Sequence, residues 1–234
     1  LFLKKRILKK FSKDLFIGEE FGIENLLTEH QKRIWAIDPI DGTNPYTKGL
    51  PTWGICVGLM YENIPLAGGF YMPKTKEIFI GEKGKGATKN SKKLSFLKEK
   101  EIDKQAIVFV PSSQKRFFNF RFSGKSIAYG SAGTHIAYTA GGCAVAALVD
   151  RPQIWDILAP LAILEEVGGG GGSSFIADVI VNGYTTSGVN NGNGYAYISY
   201  ETSENDDNFV LTFDGDSDYA WNGSDQGISG NHSF

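Results

Sequence analysis

The word Asp38-Pro-Ile-Asp-Gly-Thr43 follows directly on the apolar run Ile34-Trp-Ala-Ile37, and it restricts the fold more than any other stretch of the chain. The run reads as a central strand, and the word ends it in a sharp corner. Pro39 fixes its own φ and pushes Asp38 toward an extended conformation. Gly42 permits a tight bend before Thr43. Asp38 and Asp41 are therefore expected to point into one concavity, with the carbonyl of Ile40 turning inward beside them. Such an oxygen set suits a hard cation such as Mg²⁺, which keeps water and substrate phosphate in its remaining octahedral positions. The plain competing reading is an Asx-stabilised turn that binds nothing.

Two further words supply carboxylates. Gly18-Glu19-Glu20 follows the short apolar run Leu15-Phe-Ile17, which leaves Glu19 at a sheet edge and Glu20 beside it. Trp155-Asp156 opens an apolar helical stretch, so Asp156 stands where free backbone N–H groups and the helix dipole favour negative charge. Taken singly, Glu19 reads as a surface carboxylate and Asp156 as an ordinary helix-start residue. Taken together with Asp38 and Asp41, they read as one site. Carboxylates within ~4–6 Å of each other repel and take up protons unless cations lie between them. Cations in such a gap bind phosphate, activate water and stabilise a leaving oxygen. In phosphoryl transfer, alignment and charge supply most of the rate.

Bulk properties narrow the classes further. A chain of 234 residues with 41% hydrophobic content holds one large domain or two modest ones. A net charge of -2 argues against a general nucleic-acid binder. Cys56 and Cys143 both lie in apolar runs and are expected to be buried free thiols, which fits a reducing, cytoplasmic setting. No stretch is long and apolar enough to span a bilayer. Residues 1–13 carry six Lys or Arg, with nothing like a signal cleavage site after them. They read as a solvated helix face in preference to a lipid-binding one. Residues 201–234 hold eight acidic residues and no Lys or Arg. Asn222-Gly-Ser and Asn231-His-Ser fit glycosylation sequons within this tail but do not establish secretion.

Leu3, Ile7, Leu8 and Phe11 recur at helical spacing and predict a helix over 2–12. Strands are predicted at Leu15–Ile17, Ile34–Ile37, 53–61, 64–72, 76–80 and Ala106–Val110. Turns are predicted at Glu62-Asn63, Pro73-Lys74 and Gly84-Lys-Gly-Ala87. Small and apolar residues from Ala132 to Val149 predict a buried, closely packed helix despite Gly141-Gly142. Trp155–Val167 is a second helix, ended by Gly168–Gly172. Glu165 and Glu166 near its end oppose the helix dipole, so propensity alone does not account for them. Strands are also predicted at Asp178–Tyr184 and Tyr195–Glu201, and the final 25 residues read as an irregular segment. A division near residue 105 gives an N-terminal α+β half, 1–105, with the Asp38 corner. The C-terminal α/β half, 106–234, carries Asp156 and an acidic tail from about 202.

Five words in fixed order carry a family resemblance: Phe16-Ile-Gly-Glu-Glu20, Trp35-Ala-Ile-Asp-Pro-Ile-Asp-Gly-Thr43, Gly84-Lys-Gly-Ala87, Gly130-Ser-Ala-Gly133, and Trp155-Asp156 followed by Glu165-Glu-Val-Gly-Gly169. Over roughly residues 3 to 170 the chain resembles the inositol monophosphatase family, within the lithium-sensitive, magnesium-dependent sugar phosphatase superfamily. The resemblance implies a layered αβαβα sandwich of the α/β class, a homodimer, and two or three Mg²⁺ ions. It implies that Glu19, Asp38 and the Ile40 carbonyl hold one ion and that Asp38, Asp41 and Asp156 hold another. Glu19 and Thr43 would position or deprotonate the attacking water. The N–H groups of Gly42 and Thr43 would meet phosphate oxygens as a small anion nest. Gly130, Ser131, Ala132, Gly133 and Thr134 would border the sugar or cyclitol. His30, His135 and His232 form no ligand spacing, and only His135 falls near the pocket.

Three features depart from the family pattern. Members usually carry two further helices upstream, with an aspartate that bonds the catalytic threonine, and no counterpart precedes Glu19 in this sequence. The acid that grips inositol hydroxyls, seven positions before Asp156, is Val149 here, and Arg151 nearby would meet an anionic substrate. The polyglycine at 168–172 and the acidic tail differ from the usual final strands and helix. The function expected is Mg²⁺-dependent hydrolysis of a small sugar or polyol phosphate, of the inositol monophosphatase kind. Related branches act on histidinol phosphate, fructose bisphosphate or adenosine 3′,5′-bisphosphate, and Thr47-Lys-Gly-Leu-Pro-Thr-Trp53 resembles the histidinol-phosphatase branch. The alternative is a catalytically impaired homologue that binds metal and phosphate as a scaffold. A nucleotide-binding module lacks support, because no Walker-type word occurs. Phe117, Phe118, Phe120 and Phe122, interspersed with Arg116 and Arg121, suit either a dimer interface or a core strand.

Overall fold

The computed structural model describes residues 2–20, 22–23, 33–62, 64–96, 103–112, 118–121, 123–150, 152–168, 195–199, 209–212 and 219–221. Helix α1 (Phe2–Lys10) leads into β1 (Leu15–Gly18), β2 (Gly22–Ile23) and the long β3 (Arg33–Asp41). A short α2 (Thr43–Thr47) precedes the meander β4 (Gly54–Tyr61), β5 (Ile64–Met72), β6 (Glu77–Glu82), β7 (Gly86–Lys89) and β8 (Lys92–Lys93). These strands form one eight-stranded sheet in the order β2-β1-β3-β4-β5-β6-β7-β8, antiparallel except where β1 runs parallel to β3. The rest of the chain gives β9 (Ile107–Phe109), β10 (Phe118–Arg121), β11 (Lys125–Ile127), α3 (Ala132–Ala140), β12 (Ala146–Asp150), α4 (Ile154–Glu165), β13 (Tyr195–Ser199), β14 (Phe209–Thr212) and β15 (Tyr219–Trp221). A parallel sheet has the order β11-β9-β12-β13, and a small third sheet has the order β10-β14-β15. Helices α3 and α4 pack on each other, α4 against the large sheet and α3 against β12. The result is an α/β fold layered sheet–helix–sheet.

Helix α4 is the centre of this arrangement. Nine of its residues are buried, from Ile154 to Leu164, on every side of the helix. A helix apolar all round has to be enclosed. The sheet receives it along a row of small residues that lie opposite one another in register: Ala36 with Gly58, Gly58 with Gly68, Gly68 with Gly81, and Gly81 with Ala87. This row crosses five strands, about 19 Å at normal strand spacing. The twelve residues of α4 span about 18 Å. The fit is tight. A Cβ on Gly58 would lie 2.6 Å from Leu158 Cγ, one on Gly68 would lie 2.0 Å from the Ala159 carbonyl oxygen, and one on Gly81 would lie 2.7 Å from Ile163 Cα.

The far end of α4 is tied down as well. The Glu166 carboxylate accepts from the N–H groups of Gly84 (2.8 Å) and Gly86 (2.6 Å) in the β6–β7 turn. That contact accounts for an acid at the end of a helix where the dipole disfavours it. On the other edge, buried Asp14 accepts from Arg33 Nε (3.1 Å), Arg33 Nη2 (2.9 Å) and Trp35 Nε1 (2.8 Å), which fastens the segment after α1 to β3.

Several expectations need correction. The stretch 132–149 is not one helix: α3 stops at Ala140, the Gly141-Gly142 turn follows, and residues 146–150 form β12. Gly142, at φ 76°, adopts a conformation that favours glycine and ends the helix. The same turn places Cys143 on the surface, whereas Cys56 is buried, and both thiols are free. The tail is not wholly irregular, since β14 and β15 pair antiparallel within it. Asp178–Tyr184, Phe117 and Phe122 lie outside the described residues, while Phe118 and Phe120 lie in β10. Among the described residues no helix is long and apolar enough to cross a membrane.

Gly68→Ala is expected to destabilise the protein by about 3 kcal/mol or more, because the new methyl meets backbone and cannot be relieved by a rotamer change. Gly69→Ala, whose Cβ would find only Val57 O at 4.0 Å, serves as the control and stays within ~0.5 kcal/mol. Urea denaturation midpoints compare the two.

Candidate functional site

The Asp38 corner is a β-bulge at the end of β3. Asp38 lies opposite Cys56 and Asp41 opposite Gly54, so three steps along β3 match two along β4. The extra residue reverses the usual alternation of faces. Asp38 and Asp41, three apart, therefore both turn inward and are only 3% and 5% exposed. Pro39 contributes by having no N–H to give the ladder. The Ile40 N–H donates to Asp38 Oδ1 at 2.8 Å, so the Asx-type bond is present within the corner. Gly42 (φ 88°, ψ 54°) then enters the left-handed region, and Thr43 starts α2. The Thr43 hydroxyl donates to the Ile40 carbonyl at 3.4 Å. A Cβ on Gly42 would lie 2.8 Å from Ser131 Cβ, so the corner also needs glycine there for closeness.

Asp156 comes to the same corner from the first turn of α4. Its Oδ2 accepts from the Gln153 N–H at 2.9 Å. Burial pushes its carboxyl up, and the nearby charges of Asp41 and Asp38 push further. Burial raises Asp38 too, against the Ile40 N–H, with Glu19 and Glu20 adding repulsion. The carboxyls of Asp38 and Asp156 interact, and burial is the largest cause raising each of them. Asp41 is pushed up to about 7, chiefly by burial, although its bond from Ser131 opposes the shift. Two buried acids, Asp38 and Asp41, and the half-buried Asp156 thus share one corner. Glu19 and Glu20 are exposed beside it.

The 130–134 segment meets the corner at Asp41. The Ser131 hydroxyl donates to Asp41 Oδ2, and the Gly133 N–H donates to the same oxygen at 2.8 Å. Ser131 Oγ also caps α3 by accepting from the Thr134 N–H at 2.9 Å. Ser131 and Thr134 are buried, as is Gly133, whereas Gly130 and Ala132 are half-buried. This segment holds an acid in place as well as bordering the corner. The signal was readable in Ser131-x-x-Thr134, a serine placed to cap a helix. Arg151 lies outside the described residues. Val149 is buried in β12, part of the apolar core.

Among the described residues, no group of three or more His, Cys, Asp or Glu side chains could hold a metal ion as placed. The aspartates instead turn oxygens to local donors: Ile40 N–H, Ser131 with Gly133, and Gln153 N–H. The chemistry of the donor set nevertheless fits a hard divalent cation. It consists of carboxylates, a backbone carbonyl and a hydroxyl, and the raised carboxyls mark a place where positive charge would be welcome.

Known proteins resemble the chain in sequence and in fold. The model of the inositol monophosphatase family matches residues 1–171. A fructose-1,6-bisphosphatase/inositol-1-monophosphatase of Aquifex aeolicus is 31% identical, over 71% of this chain and 66% of that protein. A histidinol-phosphatase of Chlorobaculum parvum is 30% identical, with the same coverage of 71% and 66%. The crystal structure of inositol monophosphatase II from Staphylococcus aureus superposes with a TM-score of 0.63 at 27% identity, covering 71% of this chain and 67% of that one. The chain therefore spans about two thirds of the length of the curated relatives it matches. The fold defines a layered α/β sandwich of the sugar-phosphatase architecture. The chain belongs to the inositol monophosphatase family.

His135 is placed behind the corner, 2% exposed. Its Nε2 accepts from the Tyr129 N–H at 2.9 Å, and its ring stacks on Phe109 with centroids 5.5 Å apart. It braces the 129–131 segment from within the core. Burial lowers its pKa to about 4. Between the unfolded value of 6.5 and about 4 the unfolded chain binds the proton and the folded chain does not, so this residue's share of stability is lost as the pH is lowered through that window. The buried aspartates work in the opposite direction. The difference between wild type and His135→Gln isolates the histidine, and it should shrink by roughly 2–3 kcal/mol from pH 7 to pH 4.5 in urea titrations.

Proposed function

We propose that the protein is a magnesium-dependent phosphomonoester hydrolase acting on a small sugar or polyol phosphate. One observation carries the reading: the β3 bulge and the start of α4 bring buried Asp38 and Asp41 together with half-buried Asp156, mutually repelling, beside the Ile40 carbonyl and the Thr43 hydroxyl. Glu19, Asp38 and the Ile40 carbonyl would hold one ion, and Asp38, Asp41 and Asp156 another. A bound divalent cation supplies Lewis acidity to the phosphoryl oxygens and neutralises charge on the leaving group.

The chain's own residues do the rest. Ser131 and Gly133 fix Asp41 in orientation through two bonds to one oxygen. The Glu19 carboxylate, exposed at the mouth, accepts a proton from the attacking water, and the Thr43 hydroxyl orients that water. Backbone N–H groups of Gly42 and Thr43 receive phosphate oxygens. Gly130 and Ala132, half-buried, border the sugar or cyclitol, and Arg151 would meet a second anionic group. Relatives named for inositol phosphates, fructose bisphosphate and histidinol phosphate set the substrate panel. Homodimer formation belongs to the same reading.

Asp41→Asn keeps an oxygen for Ser131 and Gly133 but removes the charge. It should lower Mg²⁺-dependent hydrolysis of inositol 1-phosphate, fructose 1,6-bisphosphate or histidinol phosphate by about 100-fold or more, with an unchanged circular dichroism spectrum. EDTA should abolish turnover and added Mg²⁺ restore it. Hydrolysis that survives both treatments defeats the proposal, and Mg²⁺ binding without turnover in the wild type would favour the scaffold role.

A further inference from the structure

Helix α4 has a proline in its interior, Pro160, four residues after Asp156. In an α-helix the N–H of each residue bonds the carbonyl four residues back. Pro160 has no N–H, and its ring crowds the carbonyl it should have bonded. That carbonyl belongs to Asp156. The structure supplies another donor from the sheet: Cys56 Sγ lies 3.6 Å from the Asp156 carbonyl oxygen and donates to it. Cys56 is fully buried, and in the β3–β4 ladder it lies opposite Asp38.

We infer that Cys56 is a positioning residue of the acidic corner, its thiol replacing the backbone donor that Pro160 removes and holding the first turn of α4 against β4. A cysteine in a core commonly acts as a small hydrophobe. Here the acceptor is specific, and the space is short. Two residues further along β4, a Cβ on Gly58 would already collide with Leu158. A side chain at position 56 must therefore be compact and must carry a donor, a pair of demands that valine, alanine and leucine cannot meet. A buried carbonyl left without a partner is unfavourable by about 1–3 kcal/mol, and a helix can relieve it by bending open at that turn. Such bending would displace Asp156 relative to Asp38, because Cys56 touches the helix from the position that faces Asp38. The functional consequence rests on the proposed reading of Asp156 as a cation ligand, whereas the thiol contact does not.

The test uses the whole chain with Cys143→Ser as background, so that a single thiol reports. Cys56→Val, and Cys56→Ala should valine not fit, are expected to weaken Mg²⁺ binding roughly 10-fold by isothermal titration calorimetry. Cys56→Ser keeps a donor and should stay near wild type. Pro160→Ala restores the backbone N–H, so in that background Cys56→Val should have little effect. The S–H stretching band should move to higher frequency in Pro160→Ala as the carbonyl turns to its new donor. Strictly additive effects with an unmoved band overturn the inference, as does wild-type Mg²⁺ affinity in Cys56→Val. If the wild type takes up no Mg²⁺, the reading of the site fails instead, and the band together with Cys56–Pro160 coupling in urea denaturation decides the thiol's role.

Discussion

Helix α4 lies directly against the backbone of the large sheet, and the meeting of Asp156 with the Asp38–Asp41 corner depends on that contact. Backbone meets backbone there because the sheet offers no side chains along the row Gly58, Gly68 and Gly81. Dispersion forces favour such contact only at full closeness, since a gap of half an ångström or more already forfeits a large share of each contact. A side chain in the row would lift the helix and carry Asp156 away from β3. The row is also bounded: Ala36 and Ala87 flank it, one methyl each, on the strands where the helix begins and ends.

This packing holds together what electrostatics would push apart. At an effective dielectric near 20, two carboxylates ~5 Å apart repel by about 3 kcal/mol. Burying one large aliphatic side chain contributes about 1.5–3 kcal/mol. The repulsion within the corner is thus of the same order as the burial of one or two of the six leucines and isoleucines that α4 encloses among Ile154–Leu164. Burial is the main cause of the upward shifts at Asp41 and Asp156, the neighbouring carboxylates add to it, and protonation relieves part of the repulsion. A cation would relieve it without the proton. Stability and binding are therefore linked: a group that binds only the folded state adds to its stability by mass action.

Much of the fold was legible because its signals are local. The strands from 53 to 80 alternate, the 155–167 helix carries its apolar faces, and Asp-Pro-Ile-Asp-Gly-Thr announces a corner. The sense of that corner was less legible. Three-residue spacing between acids normally puts them on opposite faces of a strand, and the bulge that reunites them appears only when Asp38 and Asp41 are set against Cys56 and Gly54. The 132–149 stretch misled because the turn at Gly142 separates two segments that are both small and apolar. Cys56 and the glycine row carry no signal within their own strands. Their meaning depends on a helix some hundred positions later, at Leu158 and Asp156.

The helix is also fixed in register along its own axis, and this is what turns close packing into a defined site. Packing on a row of glycines resists lifting but resists sliding poorly, since a smooth row offers few ridges. The ends supply what the middle lacks. At one end Glu166 engages two N–H groups of the Gly84–Gly86 turn, a charge-assisted pair with fixed geometry. At the other, the Asp156 carbonyl meets Cys56, and the Asp156 carboxyl meets Gln153 and Asp38. The helix length of about 18 Å matches the width from β3 to β7, so both ends can engage at once. Glu166, whose charge opposes the helix dipole, thus belongs to the same device as Pro160, which breaks the helix's bonding. Each is unfavourable within α4 alone, and each is compensated by a strand that the helix must meet in one register only.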